Sequence, residues 1–333
     1  MSVPDQDKAA LRAAGVVAQT IVDELTTPVP QAITFFVETM VGGARPLGVL
    51  FYGSLVRTIA SGAVAADPLL LAEGVLDFYV IVERQADWPR GWLARMANTI
   101  LPPNVEYHEQ KVAGQILRAK VAILSLAQFR RMTRPGSRDT SVWSRFSQPV
   151  RLVWVRDPDA ADAILRCMMR AVGTATLWAA GLGPEHGTFD VYWDVLYRKT
   201  YAAELRVEAK DRSRQLVEGW ESRFRRILSA SWVAGGLRNA AQDGETLIPG
   251  LTEMQRKASQ IRWKKQTRFG RLLNVARLMK AAFTFTGGAR YLAWKIERHS
   301  GISVSLTPFA ERHPLLYAPV VLWRLARAGV FSR

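Results

Sequence analysis

A single acid, Asp77, interrupts an otherwise apolar stretch, VLDFYVIV (75–82). A second apolar run upstream, GVLFYG (48–53), ends on Gly53 and is followed by Ser54. An unpaired buried carboxylate is expensive, so its presence in such a strand calls for a chemical reason. One reason is nucleotidyl transfer. Gly53 lets the backbone approach a triphosphate, and Ser54 adds a hydroxyl and an amide donor. Asp77 on the adjacent strand would hold Mg²⁺ against the phosphate oxygens. The other reading is a strand-end aspartate in an ordinary hydrogen bond. The second acid usual two residues on is replaced by Tyr79.

Further candidates lie in YAAELRVE (201–208). On a helix, Tyr201, Glu204 and Glu208 share a face; on a strand, Glu204, Arg206 and Glu208 do. A solvated, salt-bridged helix face would have the same composition. His108 is the one histidine near these candidates, and a lone histidine is more often structural. The chain has no P-loop pattern, no HxGH nucleotide motif and no H-E-x-x-H zinc motif.

These residues must be positioned by elements that the patterning predicts. Helices are expected over 8–26 and 31–43, the latter ended by a glycine pair. Runs rich in β-branched and aromatic residues predict strands over 48–53, 75–82, 104–112, 116–125 and 150–156, with a helix over 87–100. From 159 to 228 helical periodicity dominates, and basic helices follow over 251–299. The expected fold class is α+β: an N-terminal helix (1–30), a nucleotidyltransferase-like mixed-sheet domain (31–157), a mostly helical domain (158–305) and a C-terminal membrane-associating tail (306–333).

With 333 residues, 49% of them hydrophobic, the chain can bury a large core. Its formal net charge of +16 points to a polyanionic partner: nucleic acid, nucleotide phosphates or an anionic membrane face. One cysteine, Cys167, excludes a disulfide within the chain and a Cys-rich metal site. The opening MSVPDQDKAALRAAG reads as neither a secretory signal nor a transit peptide. No stretch approaches the roughly 20 apolar residues of a spanning helix.

Taken in order, these segments resemble the mitochondrial-type phosphatidate cytidylyltransferases, the peripheral CDP-diacylglycerol synthases that also occur in bacteria. YGSLVR (52–57) is similar to the family's YGSG-type loop, and VLDFYVIVE (75–83) to its Asp-Phe strand, which also lacks the acid two residues on. ADWPRGWL (86–93) stands where the family has a Trp-His helix start, with Pro89 at the histidine. NVEYHEQ (104–110) carries Glu109 at the family's Asn position, and ILRAKVAILS (116–125) carries Arg118 at its lysine. SRFSQPVRLVWV (144–155) resembles the Gly-Arg-Leu-x-Lys-Pro-Val segment. YAAELR (201–206) resembles Tyr-Ser-Gly-Asp-Phe-Arg, with Glu204 for the aspartate. The likeness covers roughly residues 30–305, and the loop between Ser54 and Asp77 is longer than the family's.

The resemblance implies that CTP and phosphatidate give CDP-diacylglycerol and pyrophosphate. It implies Mg²⁺ on Asp77 shared with Glu204, and catalytic roles for Asp77, Glu204 and Arg206. Nucleotide-binding roles fall on Tyr52, Gly53, Ser54, Arg57, Arg118 and Lys120, with Glu109, His108 and Tyr201 as further contacts. It also implies a peripheral protein at the cytoplasmic face of a bacterial inner membrane, with no stable nucleic acid partner. Residues 262–280 put Lys264, Arg268 and Arg271 on one helical side and Leu272, Val275 and Met279 elsewhere. The tail mixes Trp323 and valines with Arg324 and Arg327. Both suit an anionic interface, and both would suit a core-packing helix with a basic face. Two other functions fit the charge: nucleotidyl transfer to RNA, and a non-catalytic membrane-surface scaffold.

Overall fold

The computed structural model describes residues 3–60, 71–204, 212–237 and 246–284, together with positions 288, 290, 291, 293, 294 and 307. The tail assigned above to membrane docking therefore lies outside the described residues, position 307 excepted.

The chain begins with two helices, α1 (Val3–Thr26) and α2 (Gln31–Val41). The sheet region follows: β1 (Gly48–Tyr52), α3 (Ser54–Ala60), β2 (Leu76–Val82), a 3₁₀ turn (Gln85–Asp87), α4 (Trp92–Ile100), β3 (Asn104–Val112) and β4 (Gln115–Ser125). Next come α5 (Leu126–Met132), α6 (Ser141–Phe146) and β5 (Arg151–Val155). Helices complete the described chain: α7 (Pro158–Leu182), α8 (Phe189–Ala203), α9 (Arg212–Gln215), α10 (Glu221–Ala234) and α11 (Glu253–Thr284). The protein is α+β, as the patterning predicts, and all five expected strands are present within one residue at each end. The helix expected over 87–100 is a 3₁₀ turn and a shorter helix instead. Pro89 disfavours helical backbone at the residue before it, and Gly91 caps the restart.

The strand order is β3-β4-β2-β1-β5. Only β2 and β4 pair in parallel; the other neighbours are antiparallel. Ala113 and Gly114 close the β3–β4 hairpin with φ of 48° and 82°, the two positive values a type I′ turn requires.

Strand alternation makes this sheet a partition. One face carries Val49, Phe51, Phe78, Val80, Val121 and Ile123, packed with Ile33, Phe36, Val37 and Val41 of α2 and with Trp88. The other face offers Leu50, Tyr79, Ile81, Ala122 and Leu124 to a second core, built with α1, α6, α7, α8 and α10. Two indole donors in that core find carbonyl acceptors: Trp193 donates to the Phe224 carbonyl (3.1 Å) and Trp232 to the Thr176 carbonyl (2.8 Å). The helix α7 starts on Asp157, whose carboxylate accepts from the Ala160 amide at 2.7 Å, with Pro158 at the first position.

The N-terminal helix is tied to this core by charge. Glu24 of α1 accepts from Arg223 of α10 at 2.6 and 3.1 Å, and both residues are buried. Arg223 also donates to the Ser147 carbonyl (2.6 Å), and Arg151 donates to the Glu24 carbonyl (3.0 Å). Removing one member of a buried pair strands the other charge, whereas replacing both with apolar groups of similar volume is often neutral. Glu24→Leu should therefore lower unfolding free energy by about 3–5 kcal/mol. The double variant Glu24→Leu/Arg223→Met should recover most of that loss, and urea denaturation of the three proteins checks it.

Candidate active site

Strand register assembles the site. Tyr52 on β1 pairs with Asp77 on β2, Asp77 with Lys120 on β4, and Lys120 with Tyr107 on β3. These four side chains form one row across the sheet. The next row on the same face is Leu50, Tyr79, Ala122 and Val105. Where the helical layer leaves this face uncovered, a cleft of about 480 Å³ opens.

Asp77 lies on the floor of the cleft. Gly53, which ends β1, has φ of 95°, and a Cβ there would stand 2.9 Å from Asp77 Oδ2. Glycine is thus required at 53 twice, by its backbone conformation and by contact with the carboxylate. Among the described residues Asp77 has no ion pair or hydrogen bond, and burial pushes its pKa up to about 6 despite the nearby Lys120 and Arg145. Burial, then the neighbouring Asp77, also holds the Tyr52 hydroxyl well above the usual phenol range.

The rest of the lining is basic and polar. Arg57, Lys120, Arg145 and Arg277 face the cleft against one carboxylate, Asp77, among the described residues. Two of these cations are fixed by carboxylates of their own. Arg145 of α6 donates to Glu204 at 3.3 Å, and Arg277 of α11 pairs with the buried Asp139. Phe146, next to Arg145, anchors α6 by packing on the rings of Tyr79 and Phe129 at centroid distances of 5.0 and 4.9 Å. Arg57 donates to Gln148 at 3.3 Å. Lys120 has no carboxylate within ion-pair distance among the described residues, and its ammonium lies 4.3 Å from the Tyr291 ring centre. Ser54, Ser141, Gln148, Tyr201 and Asn274 add neutral polar groups.

The structure thus brings together Tyr52, Gly53, Ser54, Arg57, Asp77, Lys120 and Tyr201 from the sequence-based set. It places four others elsewhere. Glu204 caps α8 and sits behind the cleft wall, 3.4 Å from both Thr140 Oγ1 and Ser144 Oγ as well as on Arg145, so it is not a lining carboxylate beside Asp77. Arg118 pairs with Glu109 at 3.4 Å and lies 5.2 Å from the Trp294 ring centre; the pair forms the row beyond Lys120 and Tyr107 on the same face of the sheet, and neither residue lines the cleft. His108 projects from the opposite face, 2.9 Å from Glu106, and burial followed by Arg90 lowers its pKa to about 4. That contact is therefore a hydrogen bond of neutral imidazole, with Arg90 as the partner that neutralises Glu106. Arg206 lies outside the described residues.

Sequence reasoning missed Arg145, Gln148, Asn274 and Arg277. Ser141, Arg145 and Gln148 recur at helical spacing and could have been read as one face. Nothing local singles out Asn274 and Arg277 from the other polar positions of a basic helix.

Among the described residues no cluster of three or more acid, histidine or cysteine side chains could hold a metal ion. The donor set fits a Mg²⁺ that arrives with phosphates, because Mg²⁺ commonly takes one or two carboxylates and completes its octahedron with water and substrate oxygens. Asp77 is the residue that could serve.

No family model matches the chain, and no curated protein matches it in sequence. Among solved structures, that of a nucleotidyltransferase-like protein from Exiguobacterium sibiricum 255-15 is similar over 91% of each chain, at 12% identity and a TM-score of 0.25. A likeness that loose carries no argument for the chemistry of the cleft, which stands on its own residues.

Asp77→Asn tests whether the carboxylate is held for function. Its folded pKa lies above the unfolded value, so ionisation costs stability above about pH 6, and that cost disappears below about pH 4. At pH 7 the Asn variant should be more stable than wild type by roughly 1–3 kcal/mol. The difference should shrink as pH falls through 6. Over the same range Mg²⁺-dependent nucleotide binding by wild type should weaken, while the Asn variant should lack it throughout; thermal denaturation and calorimetric titration across pH check both.

Proposed function

We propose that the cleft is a nucleotidyl-transfer site and that it uses CTP and phosphatidate to make CDP-diacylglycerol and pyrophosphate. The observation that carries nucleotidyl transfer is the row Tyr52, Asp77, Lys120 with Gly53 against the carboxylate. A carboxylate without a partner among the described residues is kept beside a cation-rich surface, where a polyphosphate and its metal would neutralise both. The lipid acceptor rests on the resemblance of 52–57, 75–83 and 201–206, and gains support from an apolar groove behind the cleft. Ile100, Leu101, Met132 and Leu273 line that groove, and Arg277 forms a wall of both spaces.

The chain's own residues would act as follows. Gly53 and Ser54 admit the triphosphate against the end of β1. Lys120 supplies a cation that has no carboxylate within ion-pair distance among the described residues, and Arg145 and Arg277 hold theirs in position through Glu204 and Asp139, so little reorganisation is needed when negative charge develops. A Mg²⁺ bound to Asp77 and the phosphates would offset charge on the transferred group and the leaving pyrophosphate. An oxygen of the lipid phosphate forms a bond to the α-phosphorus as the bond from that phosphorus to the pyrophosphate oxygen breaks. The nucleophile is already an anion at neutral pH, so no general base is required; the protein's task is alignment and screening. The net charge of +16 and the amphiphilic substrate support a peripheral position on an anionic membrane.

Pure protein with labelled CTP, Mg²⁺ and phosphatidate vesicles should yield a lipid-soluble cytidine product. Label in RNA, with none in lipid, would overturn the acceptor assignment in favour of nucleic acid. Lys120→Met should weaken CTP binding about 10–100-fold, the range for losing one charge-assisted phosphate contact. An unchanged affinity in that variant would remove Lys120 from the site.

A further inference from the structure

We propose that the exposed face of α4 is a docking surface for an anionic phospholipid bilayer. The helix is inside out. Its buried side is polar: Asn98 donates to Gln85 Oε1 (2.7 Å) and to the Ile123 carbonyl (3.1 Å), and accepts from the Asn104 amide (2.8 Å). Gln128 donates to the Asn98 carbonyl at 2.8 Å. Its outward side is apolar: Trp92, Leu93, Met96 and Ile100 are 69%, 58%, 49% and 76% exposed. At about 100° per residue these four fall within an arc of about 100°. An ordinary surface helix has the opposite arrangement, and four large apolar side chains on nine residues exceed the scatter of isolated exposed hydrophobics.

Charge identifies the occupant. Ile100 continues into the wall of the apolar groove, whose far rim carries Arg131, Arg134 and Arg138. All three are exposed, and none is in an ion pair among the described residues. A Trp-containing apolar stripe next to unpaired arginines matches an anionic interface, with side chains inserted at the headgroup boundary and guanidiniums among the phosphates. A second copy of this chain is disfavoured, because a two-fold pairing sets the same patch against itself and would bring the arginine rims together. The surface extends the lipid-acceptor reading by delivering the groove and the Arg277 wall to the membrane. Docking can nevertheless be measured without turnover.

The test is flotation of the full-length chain with vesicles of phosphatidylcholine, with and without phosphatidylglycerol. Wild type should float with the mixed vesicles and release in high salt, where the Debye length falls to about 3 Å. Trp92→Gln/Leu93→Gln/Met96→Gln should lose partitioning about tenfold or more. Its thermal unfolding and CTP binding should be unchanged. Arg131→Glu/Arg134→Glu should lose the preference for anionic vesicles. Wild-type flotation by both variants would overturn the proposal. So would a wild-type dimer that the triple variant converts to monomer with no vesicle binding by either, since the face would then join copies of the chain. Asp77→Asn should float normally. Vesicle binding without a cytidine-lipid product would remove the proposed reaction and leave docking intact.

Discussion

The structure turns on one electrostatic constraint: an ionisable carboxylate in a strand whose neighbours are buried must open onto something polar. β2 runs Leu76, Asp77, Phe78, Tyr79, and every member but Asp77 is buried. Alternation sends Phe78 into the core under α2 and Asp77 to the face under the helical layer. That layer cannot close over Asp77 without stranding a charge, so a cleft remains. Gly53 completes the arrangement by allowing the end of β1 to lie against the carboxylate.

The sheet separates what must pack from what must react. Its α2 face is an apolar core that includes a polar patch, Glu106 with Trp88, Arg90 and His108, in which the acceptor charge is matched by donors. Its other face changes along its length from leucine and isoleucine to the row of Tyr52, Asp77 and Lys120. Placing the reactive row at one end lets the rest of that face stabilise the fold. The unmatched charge then sits where the helical layer is already open.

The helical layer contributes positioned charge. Arg145 and Arg277 come from α6 and α11, far apart in sequence, and each is held by a carboxylate that does not line the cleft. A guanidinium fixed by a buried partner loses some of its pull on a ligand, but it keeps its orientation. Lys120 has no such partner among the described residues. The cleft combines the two kinds of cation, which suits a polyphosphate that must be both attracted and aligned. Arg277 also walls the apolar groove, so polar and apolar spaces meet at one side chain.

Local patterning by itself determined the five strands, the α+β class and the coupling of Gly53–Ser54 to Asp77. Period-two apolar runs and a glycine at a strand end are local signals, and a lone acid in such a run is conspicuous. Helical spacing marked Tyr201, and the family resemblance, not the patterning, marked Tyr52, Arg57 and Lys120; all four share the cleft. Tertiary structure alone decided which charges are spent on one another. Glu204, Arg118 and Glu109 have the residue types a phosphate and metal site would use, and Glu204 and Arg118 align with a family's functional positions. Yet Arg145 takes Glu204, and Arg118 and Glu109 take each other. Whether a charge is free depends on what the fold sets within about 4 Å of it, and the partner can lie 59 positions away, as Glu204 does from Arg145. The inverted face of α4 was hidden for the same reason: its sequence has an apolar side, and only the packing around Asn98 shows that this side faces out.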